Sequence, residues 1–121
     1  MKFDLEERTA KFGDNIIAFC RRVPQNNITN PLIAQIVRSA TSVGANYCEA
    51  DDAESKKDFA HKIGICRKES RETKHWLRMI ANAEPSVKEE ARKLWIEVQE
   101  LNLIFSKIVH TCRKNMEDAQ N

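Results

Sequence analysis

Residues 38–50 read RSATSVGANYCEA. Ser39, Ala40, Ser42, Gly44 and Ala45 are small, yet Arg38, Asn46 and Glu49 stand among them. Small side chains let one helix approach another closely, because the side chains at a contact set the distance between axes. Polar side chains placed there need partners, since an unpaired buried polar group costs roughly 1–3 kcal/mol. The stretch therefore reads as the middle of a closely packed helix. It holds no recognisable catalytic motif.

Around this centre the chain is helical in pattern. Asn30-Pro31 is a start signal, with Asn as cap and Pro at a first position that needs no N–H, and it opens a helix over 31–53. Ile33, Ile36, Val37, Ala40, Val43, Gly44 and Tyr47 form its broad apolar face. Upstream, Leu5, Phe12, Ile16, Phe19 and Val23 recur at threes and fours, which predicts a helix over 4–22 closed by Pro24. Gly13 lies inside that pattern, where close packing against another helix would explain it.

Downstream, Glu49, Asp51, Asp52 and Glu54 close the central helix, and Ser55 with Asp58 resembles a capping box for a helix over 56–82. Its core stripe is Phe59, Ile63, Cys66, Ser70, Thr73, Leu77 and Ile80. Pro85 breaks the chain, and Ser86 with Glu89 predicts a capping box for a fourth helix over 87–115, followed by a frayed polar tail over 116–121. Val87, Ala91, Leu94, Val98, Leu101, Phe105, Ile108 and Cys112 repeat a strict 4-3 alternation. Four helices with short connections imply one all-α domain over 1–121, an antiparallel up-down-up-down four-helix bundle. The 3.5-residue period implies left-handed packing near +20°.

Composition narrows the function classes. Three Gly and three Pro in 121 residues argue against a turn-rich β fold. Lys and Arg total 20 against 18 acids, so any basic surface must be local. The opening MKFDLEERTAKF lacks the apolar core of a signal peptide, and no run approaches the roughly 18 apolar residues of a membrane span. Cys20, Cys48, Cys66 and Cys112 are far apart with no CxxC pair, which reads as reduced, mostly buried thiols in a cytoplasmic protein without membrane contact.

Two clusters stand out as candidate sites. Arg67, Arg71, Lys74 and Arg78 line one face of the third helix, and residues 55–82 hold eight basic residues against three acidic ones. Such a stripe can track phosphates, the main source of sequence-independent affinity for nucleic acid; it can equally be a solvated flank or a set of bridges to neighbouring acids. Few aromatics lie among these residues, so base stacking is not expected of them. Arg38, Asn46, Glu49, Glu69 and Glu72 are the second cluster, which reads as a structural polar network between helices two and three rather than as acid–base machinery. Glu72 and His75 supply one Glu-x-x-His unit, but Lys107 stands where its second copy would need Glu, so no metal and no cofactor is expected. Wide apolar faces on helices two and three exceed what one neighbour would bury and favour self-association.

From Arg38 to Ala50 the chain resembles the four-helix bundle family encoded in intervening sequences of bacterial 23S ribosomal RNA genes. The family pattern is Arg-Ser-Ala-Thr-Ser, an aliphatic residue, Gly-Ala-Asn, two further positions and Glu-Gly. It is matched at Arg38, Ser39, Ala40, Thr41, Ser42, Val43, Gly44, Ala45, Asn46 and Glu49, with Ala50 in place of the usual Gly. Lys57-Asp58-Phe59, Lys68-Glu69, Glu72-Thr73 and Trp76-Leu77 extend the match through the middle third. Members are usually listed as intervening-sequence or ribosomal proteins from gene location. Related proteins include the accessory variability determinant of diversity-generating retroelements, a basic, barrel-like pentamer that binds a reverse transcriptase and nucleic acid. The resemblance implies a non-enzymatic homo-oligomer, a pentamer, associated with ribosomal or other structured RNA. The alternative is a protein-interaction adaptor, such as an accessory subunit for a reverse transcriptase.

Overall fold

A computed structural model describes residues 4–120; residues 1–3, at the start of the opening segment, and Asn121, the end of the expected tail, lie outside the described residues. Four α-helices follow one another: α1 (Leu5–Arg22), α2 (Thr29–Asp51), α3 (Lys56–Ala83) and α4 (Lys88–Gln120). A single 3-10 turn, Pro85–Val87, precedes α4. Among the described residues there is no strand, and no helix is long and apolar enough to cross a membrane.

Local chemistry explains most of the boundaries. The Asp4 carboxylate accepts from the Glu7 amide at 3.1 Å and caps α1. Helix α2 starts two residues before the expected Pro31, because the cap is Asn26 and not Asn30. The Asn26 carboxamide oxygen accepts from the amides of Ile28 (2.8 Å) and Thr29 (2.9 Å). The buried Thr29 hydroxyl donates to Pro24 O at 2.6 Å and accepts from the Asn26 amide at 3.0 Å. Pro31 then falls inside the first turn, where no intrahelical amide partner exists to be lost.

At its far end α2 stops at Asp51, short of the expected Ala53, since the Ala53 amide turns back to Ala50 O at 3.1 Å. Ser55 caps α3 as its sequence predicts, accepting from the Asp58 amide at 3.0 Å. The Ser86–Glu89 box does not form. Pro85, with its preset φ, starts the 3-10 turn one residue early, and the Ser86 hydroxyl donates to Glu84 at 2.8 Å. Helix α4 also runs past Asn115 to Gln120, so the expected frayed tail is helical there. Met116 and Ala119 line a groove with Ala53 and Phe59, which gives that last stretch neighbours to pack on.

Each helix contributes one face to a common core. Leu5, Phe12, Ile16 and Phe19 come from α1, and Ile36, Ala40 and Val43 from α2. The α3 stripe is buried at Ile63, Cys66, Ser70, Thr73, Leu77 and Ile80 and half-buried at Phe59, and α4 adds Ala91, Val98, Leu101, Phe105 and Val109. Helix α2 packs on α3 and α3 on α4 most extensively, with α1 laid on α2 and touching α4 least. The opening stretch of small residues turns out to be two-sided. Ser39, Ala40, Val43 and Ala50 are buried, while Arg38, Thr41, Ala45, Cys48 and Glu49 face outward. Where α1 crosses, a methyl added to Gly44 would stand 3.4 Å from Thr9 Oγ1, so the helices meet closely but do not exclude Ala.

Candidate nucleic-acid interface

The α3 residues 67, 71, 74 and 78 fall three or four apart, so their side chains stack along one line of the helix. The core stripe turns that line toward the seam with α4. Asn102 of α4 donates its side-chain amide to Arg67 O at 2.9 Å, and Lys74 Nζ donates to Gln99 Oε1 at 2.5 Å. Arg71 and Arg78 are exposed, while Arg67 and Lys74 are half-buried. Among the described residues, none of the ion pairs takes in Arg67, Arg71, Lys74 or Arg78.

The seam gathers further cations at both ends. Lys88 and Arg92 of α4 join Arg78 around one cleft, and Lys57, Lys68 and Arg113 join Arg67 around another. Lys88, Arg92 and Arg113 come to the stripe from α4, across the seam. On the α1–α2 side the charge is opposite: Asp4, Glu6, Glu7 and Asp14 rim a cleft of about 520 Å³ floored by Gly13 and Gly44. A net charge of +2 thus conceals a basic side and an acidic one.

Few aromatics lie among the stripe residues along α3 itself, but α4 brings Trp95 against them, with Lys74 Nζ 5.5 Å from the indole centroid. Trp95 is 38% exposed. The signal in the sequence was its place one step off the α4 core stripe, on the same flank as Gln99 and Asn102; choosing the neighbour it would meet needed the packed helices.

The second cluster is only partly assembled. The Arg38 guanidinium reaches Glu69 Oε2 at 3.1 Å and also pairs with Glu72, tying α2 to α3. Trp76 Nε1 donates to Glu72 Oε2 at 2.9 Å. Glu49 sits apart from these and pairs with Lys62 at 3.3 Å. Asn46 donates to Ser42 O of its own helix at 2.8 Å and joins neither group. An Asn on a helix face can satisfy itself on the backbone one turn earlier, so its presence in the stretch does not require a cross-helix partner. Unforeseen in sequence is a clasp between α1 and α4, where Arg8 donates to Glu97 at 3.0 and 2.8 Å and meets Glu100 at 3.0 Å. The two carboxylates hold its guanidinium still more firmly in the charged form.

His61 and His75 are exposed, and among the described residues no three His, Cys, Asp or Glu side chains gather as they would around a metal ion. All four Cys are free thiols. Cys20 and Cys66 are buried, and burial pushes their thiols up to about 11 and about 12. Cys48 is exposed and Cys112 half-buried, fewer buried thiols than the sequence suggests.

The model of the 23S rRNA-intervening sequence protein family matches residues 1–107. A crystal structure of a protein of unknown function from the S23 ribosomal protein family of Bacteroides thetaiotaomicron is similar at a TM-score of 0.75 and 28% identity, over 86% of this chain and 96% of that one. No curated protein matches the chain.

Proposed function

We infer the role of this chain from two facts: it belongs to the 23S rRNA-intervening sequence protein family, and along its α3–α4 seam Arg67, Arg71, Lys74 and Arg78 pair with no carboxylate of the described residues. The reading is a non-enzymatic, cytoplasmic, homo-oligomeric scaffold that binds ribosomal or other structured RNA through Arg67, Arg71, Lys74 and Arg78. The carrying observation is the unneutralised stripe itself. A row of cations along one helix presents charge at intervals to a phosphate backbone, and affinity of that kind needs no base contacts. The carboxylates that catalysis would use, Glu69 and Glu72, are engaged by Arg38 and Trp76, which supports a structural role for them.

The helix course belongs to the same proposal. In every packed pair the partner numbers run in opposite directions, as with Arg38 to Glu69 and Glu49 to Lys62, or Arg8 to Glu97 and Arg22 to Glu90. That supports an antiparallel up-down-up-down bundle, and the 3.5-residue period supports left-handed packing. Self-association is supported by Ile96 and Leu103, 55% and 58% exposed on the outer side of α4. The pentameric number is taken from the family resemblance. The same apolar strip also favours the second reading, an adaptor for a protein such as a reverse transcriptase.

The test is mass and affinity together. Nuclease-treated protein is measured by light scattering alone and with structured rRNA fragments, at rising salt, beside a variant with all four stripe residues changed to Gln. A mass near five protomers that rises with RNA, and a salt slope lowered by about 3–4 in the variant, is expected. RNA binding that is absent, or unchanged by the four substitutions, overturns the nucleic-acid reading in favour of the adaptor.

A further inference from the structure

Resting on the nucleic-acid reading, we propose that the cleft beside Trp95 takes one unpaired nucleobase of the bound RNA, stacked on the indole and held by its flanking phosphates. The cleft measures about 340 Å³ and lies between the end of α3 and the start of α4. Its apolar lining is Leu77, Ala81, Ala91 and Trp95, and its charged lining is Arg78, Lys88 and Arg92. That volume is at the low end for small-molecule sites, enough for a planar ring but not for a helix.

Three features select a base over other occupants. First, Trp95 is a large aromatic left partly in water, with no hydrogen-bond partner among the described side chains to account for its position. Second, it is prepositioned: Lys74 stands over the ring and is itself held by Gln99, so both the indole and the cation beside it are constrained before any ligand arrives. Third, the rim charges are cationic, and among the described residues their one ion pair is that of Arg92 with Glu89 at 4.0 Å. Apolar floor, π face and cationic rim together match the flat heteroaromatic ring and the phosphates of a nucleotide.

The seam then divides recognition into two parts. Arg67 and Arg71, farther along α3, meet backbone phosphate of any RNA, paired or not. Trp95 meets only a base whose face is free, which a continuous duplex does not offer. The site therefore favours loops, bulges and strand ends over uninterrupted duplex.

The experiment uses the full chain, a short RNA hairpin with a single-stranded loop, and a perfectly paired duplex of equal length. Trp76→Phe leaves Trp95 as the one indole, so its emission reports stacking directly. The hairpin should quench that emission and bind about tenfold or more tightly than the duplex. Trp95→Ala should lower hairpin affinity to that of the duplex, and Trp95→Phe should restore part of the preference. If Trp95→Ala binds both RNAs as the parent does while the four Gln substitutions weaken both, the base site is overturned and the electrostatic reading stands. If neither set of substitutions changes binding, both fall. A change of oligomer mass in Trp95→Ala with unaltered RNA preference also overturns the proposal, and assigns the indole to a contact between copies.

Discussion

The hydroxyls of Ser39 and Thr73 lie 2.9 Å apart between α2 and α3, both fully buried. Thr73 Oγ1 donates to Glu69 O at 2.8 Å, so its single proton is committed there. Ser39 must then donate to Thr73, its other acceptor being Ile36 O at 3.4 Å. The pair is directional, and the direction makes the two substitutions unequal. Ser39→Ala removes one donor and leaves Thr73 bonded, which costs about 1 kcal/mol. Thr73→Val keeps the volume but leaves Ser39 only its long bond to Ile36 O, at about 1–3 kcal/mol. Urea unfolding should rank Thr73→Val as the more damaging, and the reverse order would contradict the assigned direction.

Arg38 binds the two carboxylates of α3 from a half-exposed position. Its removal leaves Glu69 and Glu72 close together without a counterion. We expect Arg38→Ala to lower stability by about 1 kcal/mol, since partly exposed pairs are weakened by solvent. The difference from the parent should shrink in 1 M salt, where screening acts over about 3 Å. A difference independent of salt would mean that lost packing of the Arg stem accounts for it.

The start of α2 offers a contrast between two asparagines, Asn26 and Asn30, one helical turn apart. Asn26→Ala removes the acceptor of two amides and should cost about 1 kcal/mol. Asn30, inside the first turn, has no capping bond, so Asn30→Ala should change the melting temperature little. Equal losses at both positions would restore the cap to Asn30.

Buried thiols should make the fold sensitive to alkali. Cys20 and Cys66 keep their protons in the folded protein up to about 11 and about 12, whereas an unfolded thiol titrates near 8.5. A raised folded pKa gives stability that is complete below the unfolded value and is lost as pH rises toward the folded one. Stability should therefore decline between roughly pH 8.5 and 12, and Cys66→Ala should make that decline shallower. In the native protein iodoacetamide should modify Cys48 well before either buried thiol.

The residues that shape the core were legible without any structure. Phe59, Ile63, Cys66, Ser70, Thr73, Leu77 and Ile80 follow one helical period, and all are buried but Phe59, which is half-buried at the start of the helix. A helix has one apolar face and the period identifies it, so burial within an element is a property of local sequence. Caps were legible only where one side chain serves one amide close by. Ser55 worked that way, while at Asn26 the bond is closed jointly with Thr29 and Pro24, and at Ser86 a 3-10 turn intervened.

The candidate site divides along the same line. Sequence alone determined four helices, their inward faces, the family, and the alignment of Arg67, Arg71, Lys74 and Arg78 on one side of α3, because each follows from spacing along a single rod. Which rods lie side by side was decided by the tertiary structure. Trp95 meets Lys74, Lys88 and Arg92 join Arg78, and Glu49 parts from Glu69, through contacts between residues far apart along the chain. The acidic α1–α2 side and the basic α3–α4 side exist only once the helices are packed, since a near-neutral composition says nothing about how its charges are sorted in space.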